Sequence, residues 1–539
     1  MQTFDFVIVG AGTAGCVLAY RLSARGYRVC VVEAGPVDRN PYIRIPGGIM
    51  KTSTDPSITW QFNHQGSANT NGRSIPFIQG RTLGGSSAIN GMIYSRGQPA
   101  DFNGWAAAGA QGWDYESVLP YFRKSERFMG EGEARYRGRE GNMPITVLAK
   151  RSAVCDSFIR GAVEQGIPYN PDYNGCEQTG VGYTQANIYK GKRWSAAYCF
   201  LRPARRQFGV TVITDALVRR IVVADNRATG IEYSRSGETT LHTVRSNICT
   251  IISAGSVNSP KLLQLSGIGP ARLLQDLGIT VVRDLPGVGE NLSDHYAARI
   301  VVRTPGNVET VNQHSRGIPL IREVTSWMLG RPSILAMSSM SVYAFCKSNE
   351  TSTENDYAVT FTPASLKAGK TRKLDDFPGV TSGAWRLRPE SRGYIRIESR
   401  DANHPPIVQP NYLDAESDRR ILITALRRSH AILHSDAMKH IFREQVFPTA
   451  DCQTDEQWLA FIREYGTTAF HLVGTCKMGA LSDPMSVVDP TLKIKGIDGL
   501  RVVDASVMPT TPSANTNAST LMIAEKAADM ILQELGRTS

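Results

Sequence analysis

Phe4-Asp-Phe-Val-Ile-Val9, then Gly10-Ala-Gly12-Thr13-Ala14-Gly15, then Cys16-Val-Leu-Ala-Tyr-Arg-Leu22, then Val29-Cys-Val-Val-Glu33-Ala34-Gly35 is the stretch that decides the fold. The short apolar run, rich in β-branched residues, reads as a buried parallel strand. The glycines permit a tight turn and let the backbone approach a pyrophosphate. Apolar residues then recur at helical spacing, so the phosphates would sit at a helix N-terminus, where unpaired N–H groups and the dipole favour anions. Glu33 closes the next strand at roughly the 20-residue offset at which an acid accepts the hydroxyls of an adenosine ribose. A lone Gly-x-Gly-x-x-Gly is a weak signal that an ordinary glycine-rich turn would also give. Here strand, turn, helix, strand and acid arrive in order, so the chain is read as binding a dinucleotide. An acid at Glu33 also argues against a ribose 2′-phosphate, and so against NADP.

A chain of 539 residues is long for one core, so two domains, or one with large insertions, are expected. With 41% hydrophobic and 20% charged residues the composition is that of a globular protein. No apolar run has the length of a membrane span. The net charge of +11 is spread along the chain rather than bunched, which reads as a solvated basic surface and not as a nucleic-acid site, with anionic membranes left open as a contact. The nine cysteines are scattered, and several, such as Cys16 and Cys30, lie in apolar segments. That pattern fits packed, reduced thiols of a cytoplasm. The first strand follows Met1 almost at once, so no signal peptide and a cytoplasmic location are expected.

Beyond Gly35 a stretch rich in Pro, Gly and Ser runs to Pro76 and reads as an excursion covering the cofactor, with Trp60 and His64 as edge-packing or surface residues. Next comes Gly80-Arg-Thr-Leu-Gly84-Gly85-Ser86-Ser87-Ala-Ile89-Asn90-Gly91-Met92-Ile93-Tyr94, whose small residues and N–H donors suit a backbone pressed against a cofactor. Ser152 to Gln165 reads as a helix, and two β-rich runs flank Asp225-Asn-Arg as a hairpin. A second βα unit runs from Ile248 through Ser253-Ala254-Gly255 into a helix with Pro260 in its first turn. Leu285 to His295 contains Asp294 and His295, for which a metal or acid–base reading is weighed against a structural role in the turn; without a third ligand the structural role is preferred. Ser391 to Glu398 is the clearest strand of the following region, and Asp418 to His434 a helix. His430 and His434 lie four apart on that helix with His440 nearby, but no Glu follows the first, so no metal site is read there. Thr467 to Gly479 contains His471, and Leu500 to Pro509 leads through Ala514-Asn515-Thr516-Asn517 into a long helix for which Asn515 and Asn517 are good N-cap residues.

These five motifs, in order and spanning Phe4 to Leu535, resemble those of the glucose–methanol–choline oxidoreductases, FAD-dependent enzymes that oxidise alcohols, and the spacing is most similar to the bacterial choline, sorbose and polyethylene-glycol dehydrogenase-like branch. The resemblance implies an α/β fold: an FAD-binding Rossmann-like domain in three segments, 1–150 with the cofactor cover, 206–295 and 461–539. An α+β substrate-binding domain would be inserted as 151–205 and 296–460. It implies cofactor contacts from Gly10, Gly12, Thr13, Ala14, Gly15, Glu33, Ala34, Ser86, Asn90, Gly91, Met92, Ile93, Val218, Ala254, Phe470, Asp504, Ala505, Asn515, Thr516 and Asn517. Members that attach flavin covalently carry a histidine where this chain has Ile89, so non-covalent FAD is expected. His471 matches the catalytic histidine and Asn515 the second active-site position.

The chemistry implied needs both. Removing hydride from an alcohol carbon requires the hydroxyl proton to be leaving, and an imidazole is suited to take it. An amide cannot accept that proton but can donate to the forming alkoxide. The N-terminus of the last helix would stabilise charge on the flavin ring. The family also contains hydroxynitrile lyases, which keep FAD without redox turnover, and a light-driven fatty-acid decarboxylase; a non-enzymatic FAD-binding protein is a further alternative. Which alcohol is oxidised, and whether oxygen or a quinone or other acceptor takes the electrons, is not written in these motifs, although Ala469 and Phe470 are plausible neighbours of flavin C4a.

Overall fold

The computed structural model describes residues 2–148, 150–238, 240–367, 373–449 and 452–537. In it β1 (Gln2–Val9), α1 (Thr13–Ser23) and β2 (Val29–Val32) form the βαβ unit read from the sequence. The two strands pair in parallel, from Phe6 against Val29 to Val9 against Val32. Phe6–Val9 and Val29–Val32 are all buried, as strands covered on both faces must be, and that is why their runs are unbroken by polar residues.

β3 (Thr211–Ile213) adds a parallel strand beyond β2. β4 (Ala216–Ala224) and β5 (Arg227–Arg235) are the expected hairpin, closed by Asp225 and Asn226 at φ 49° and 57°, the left-handed pair of a type I′ turn. β6 (His242–Ile252) lies parallel to β1 and changes its other neighbour along its length. Its first residues pair antiparallel with β5, and Thr250–Ile252 pair in parallel with β7 (Leu500–Val502). The order across the sheet is β3-β2-β1-β6-β5-β4, with β7 also on β6.

α2 (Gly255–Leu265) follows β6, and α3 (Thr516–Glu534) packs against α1, where Arg21 pairs with the fully buried Glu525 at 2.7 Å. Pro260 corrects an expectation: it lies inside α2 and not in its first turn. A proline cannot donate to the carbonyl four residues back. That carbonyl, of Ser256, accepts instead from the Thr475 hydroxyl at 2.7 Å, so the defect is filled from another segment.

A second sheet of seven strands is antiparallel and ordered Glu444–Phe447, Tyr296–Arg303, Gly379–Arg386, Tyr357–Thr362, Val342–Cys346, Gly180–Tyr183, with Thr467–Thr468 also paired to Tyr296–Arg303. Along Tyr296–Arg303 alternate residues (Tyr296, Ala298, Ile300, Val302) enter one core with the helices Ala153–Glu164 and Glu416–Leu433. Ala297 and Trp385, paired across two strands, face the other way into the cavity described below. The strand read over Ser391–Glu398 is shorter, Tyr394–Arg396, because its only ladder is the short Ile407–Gln409. His64 is not a surface residue. It is buried between the rings of Phe77 and Tyr412, neither nitrogen has a partner among the described residues, and burial pushes its pKa down to about 3. His430 and His434 stack at 4.0 Å, and among the described residues no group of His, Cys, Asp or Glu could hold a metal ion. No helix among these residues is long and apolar enough to cross a membrane.

Candidate active site

A cavity of about 1150 Å³ runs from the glycine turn after β1, past the Ser86–Ile93 segment and the start of α3, to His471 and the face of the second sheet. Its size is at the upper end for small-molecule sites. Every cofactor residue expected from the sequence lines it except Gly15. The turn explains the difference. Gly10 has φ +99°, and a Cβ there would stand 2.4 Å from the Ser253 carbonyl oxygen; one on Gly15 would stand 2.0 Å from Gly10 O. Those two glycines let α1 and β6 close on the turn. A Cβ on Gly12 would meet only Ser253 O, at 3.8 Å, so the space over Gly12 is free for a ligand.

Glu33 is buried, and its two oxygens accept from the N–H groups of Ala11 (2.8 Å) and Gly35 (2.9 Å). Each oxygen keeps a second lone pair. Asp504 is used similarly: Oδ2 accepts from Gly255 N and Ser259 Oγ, and Oδ1 from Ser506 N, which ties the first turn of α2 to the loop after β7. Asn90 accepts from Met92 N at 3.1 Å and from Arg193 Nη1 at 2.8 Å. Arg193 is fully buried, bonded besides to the carbonyls of Ile43 and Ser87, and burial lowers its pKa to about 9. It braces the loop that lines the cavity, and nothing in its sequence surroundings marks it. Ile89 lines the cavity and packs with Ile43, Ile58 and Ala88.

Asn515 takes the N-cap position of α3 with extended backbone (φ −64°, ψ 141°), but its side chain makes no capping bond. Asn517 lies inside the first turn, and its Oδ1 accepts from Thr13 Oγ1 at 2.8 Å, so Asn515 holds the expected N-cap position without a capping bond and Asn517 is no cap. Both side chains are drawn to partners across the cavity. The first N–H groups of α3 therefore have no cap from Asn515 and lie at the cavity wall, where the helix dipole favours negative charge.

His471 follows Phe470, whose φ of +65° is unusual for a bulky residue and turns the chain sharply before the imidazole. Asp294 fixes that turn. Its Oδ1 accepts from His471 N (2.7 Å) and its Oδ2 from Thr468 Oγ1 and Tyr412 OH (2.5 Å each). Burial raises the Asp294 pKa to about 6 against the pull of these bonds. His295, which the sequence reading left in the turn, touches His471 directly: the two Nδ1 atoms are 2.8 Å apart, and His295 Nε2 is 2.7 Å from Leu387 O. The signal that could have found it is its place beside Asp294 in the Leu285–His295 motif.

These contacts fix the protons. A carbonyl only accepts, so His295 donates from Nε2 and, being neutral, presents a bare Nδ1. His471 must then donate from Nδ1, and its Nε2 is bare. Asn515 Nδ2 lies 2.9 Å from that Nε2 and donates to it. Asn515 Oδ1 is left buried without a partner among the described residues. Both imidazoles are held neutral: burial lowers His295 to about 4, and burial with the neighbouring His295 lowers His471 well below its ordinary value. The arrangement is an unprotonated, oriented base beside an amide donor, at one end of a cavity that begins at a phosphate-type turn.

The family model described as GMC oxidoreductase matches residues 4–297 and 389–524. An oxygen-dependent choline dehydrogenase of Photobacterium profundum is 37% identical over 541 residues, covering 98% of this chain and 93% of the relative. An alcohol dehydrogenase (acceptor) of Pseudomonas putida is 36% identical over 541 residues, covering 99% and 97%. Among solved structures, pyridoxine 4-oxidase from Mesorbium loti has a TM-score of 0.87 at 29% identity, covering 97% of this chain and 98% of that one. A variant of Aspergillus oryzae formate oxidase has a TM-score of 0.91 at 24% identity, covering 99% and 98%, a likeness of fold alone.

Proposed function

The chain belongs to the glucose–methanol–choline (GMC) oxidoreductase family, and from that premise we propose that it oxidises an alcohol to an aldehyde or ketone with FAD in the cavity and His471 as base. Enzymes of this family act on CH–OH donors, and the choline and alcohol dehydrogenases named above are relatives over almost their whole length. The observation that carries the reading is the bare Nε2 of His471 beside the Asn515 amide, at the end of one cavity whose other end is the glycine turn and Glu33. The residues present fit FAD. The open side of Gly12 and the N-terminus of α1 suit its pyrophosphate, the free lone pairs of Glu33 its ribose, and Val218 its adenine end. Ser86, Asn90 to Ile93 and the first turn of α3 suit its ring system. When bound, FAD supplies the acceptor for the hydride that leaves the alcohol carbon.

The protein's part is proton handling and orientation. The substrate hydroxyl displaces Asn515 Nδ2–H from the single lone pair of His471 Nε2 and gives its proton there, and Asn515 Nδ2 then donates to the oxygen as its charge develops. The imidazolium so formed keeps its Nδ1–H on His295, so it neither rotates nor changes tautomer during the transfer. Domain limits at 1–150, 151–205, 206–295, 296–460 and 461–539 accompany this reading, with the second sheet as the substrate side.

The test is anaerobic. The purified yellow holoprotein should bleach when an alcohol substrate is added, and the bleached form should yield an aldehyde or ketone in equal amount. Cyanide release from a cyanohydrin without bleaching would instead mean a lyase. Return of colour in air within a turnover, with peroxide, identifies an oxidase; persistence until a quinone is added identifies a dehydrogenase. Because Ile89 stands where a linking histidine would be, acid precipitation should leave all the flavin in the supernatant, and colour retained in the washed pellet would contradict non-covalent binding.

A further inference from the structure

No charged side chain among the described residues lines the substrate end of the cavity near His471. Among the described residues, the ionisable groups that line the cavity besides His471 are Glu33, Lys51, Lys261, Arg316, Lys373 and Asp504. Glu33 and Asp504 are engaged with backbone N–H groups at the nucleotide end. Lys261 belongs to α2 and donates to the Ala402 carbonyl at 2.7 Å. Lys51, Arg316 and Lys373 are exposed at the rim, and Arg316 is paired with Asp376. Between His471 and that rim the walls include Ala297, Trp385, Met337 and Leu335, and the passage reaches Leu320 and Val324 on the surface helix Gly317–Met328. The hydroxyls of Thr362 and Ser339 are directed to backbone carbonyls, of Ser339 and Gly91.

A cation entering such a site would shed its water and find no carboxylate. A cage of aromatic faces could replace one, since quaternary ammonium groups bind over several rings. Here Trp385 stands beside the His471 ring at 6.2 Å between centroids, and a single indole face is not such a cage. Among the described residues, the charged side chains that line the way in, Lys51, Arg316 and Lys373, are cations.

We propose that the substrate is an uncharged alcohol with an apolar body, and that choline is excluded although a choline dehydrogenase shares 37% identity with this chain. The inference rests on the alcohol-oxidising reading given above. The shape of the passage adds that an extended apolar chain is accommodated from His471 out to the surface helix, so that each CH₂ removed from water strengthens binding.

The comparison of choice is choline against 3,3-dimethyl-1-butanol, which has the same shape without the charge. Anaerobic reduction of the holoenzyme by each is followed at one pH, together with a series of 1-alkanols and an ω-hydroxycarboxylate. The second-order rate constant for the neutral isostere is expected to exceed that for choline by at least about 100-fold. Among the shorter 1-alkanols it should rise by about fourfold per CH₂. The hydroxycarboxylate should fall below the 1-alkanol of equal length. Choline as fast as its isostere, or the hydroxycarboxylate preferred, overturns the proposal and leaves alcohol oxidation standing. Failure of every alcohol, charged or neutral, to bleach the flavin overturns both.

Discussion

His471→Ala is expected to retain its flavin and to lose at least about 10³-fold in the rate at which an alcohol reduces it. Among the described residues the imidazole is the group placed to take the hydroxyl proton, since the Asn515 amide is not a base and Asp294, whose carboxylate accepts from His471 N, is buried behind the ring. The size follows from what positioned bases contribute, about 10² to 10⁴. The wild-type pH profile is part of the same expectation. Burial and His295 lower the His471 pKa, so the base is already free at neutral pH, and the acid limb of kcat/KM should lie below pH 6.5 with a plateau above it. In His471→Ala that limb should vanish along with the rate. A variant that keeps the wild-type rate, or a wild-type limb above pH 7, would remove His471 from the role of base. Stability should follow the same sign. The unfolded chain protonates both histidines near pH 6.5 while the folded one resists, so their contribution is full above that pH and fades as pH falls toward the folded value, about 4 for His295. Asp294, raised to about 6, acts in the opposite sense, contributing most below its unfolded value and losing it as pH rises through about 6.

The nucleotide half of this molecule was legible because its signals are local. Strand, turn and helix from Phe4 to Glu33 lie within one short segment, and the steric demands at Gly10 and Gly15 leave few sequences that could build them. The hairpin at Asp225 and Asn226 was legible for the same reason. What escaped was long-range. Pro260 looked like a helix start because the bond that excuses it inside α2 comes from Thr475, over two hundred positions away. Asn515 and Asn517 looked like caps because their partners, His471 and Thr13, are remote in the chain. Arg193 has no acidic partner to announce it, since its side chain is bonded to two carbonyls and an amide. His295 is the most telling case: a histidine in a turn carries no mark of what its ring will touch, and the pairing of Tyr296 and Ala297 with Thr468 and Thr467, with the Ser293–Val473 bridge, brings it to His471.

That contact supports the second large effect. His295→Ala removes the acceptor of the His471 Nδ1–H, which leaves a buried donor unpaired at a cost of about 1–3 kcal/mol and frees the imidazole to adopt the other tautomer. With the proton on Nε2 the ring cannot accept from the substrate at all. The expected result is a fall in kcat of about 10²-fold with KM changed much less, since His295 lies behind His471, bonded to it and to the Leu387 carbonyl, and away from the substrate oxygen. A loosened fold could also slow turnover, so the decisive readout is the pH profile. The neighbouring His295 is one of the two causes that lower His471, so its removal should move the acid limb of kcat/KM upward, toward the ordinary histidine value. His295→Gln offers an amide oxygen that can accept the same proton, so it should recover part of the rate; carrying no charge, it should leave the limb where the alanine puts it. Rate loss with an unmoved limb, equal in Ala and Gln variants, would make His295 a packing residue. A limb that moves in both variants, with the rate partly recovered by the glutamine alone, would make it the residue that decides which nitrogen of His471 does the chemistry.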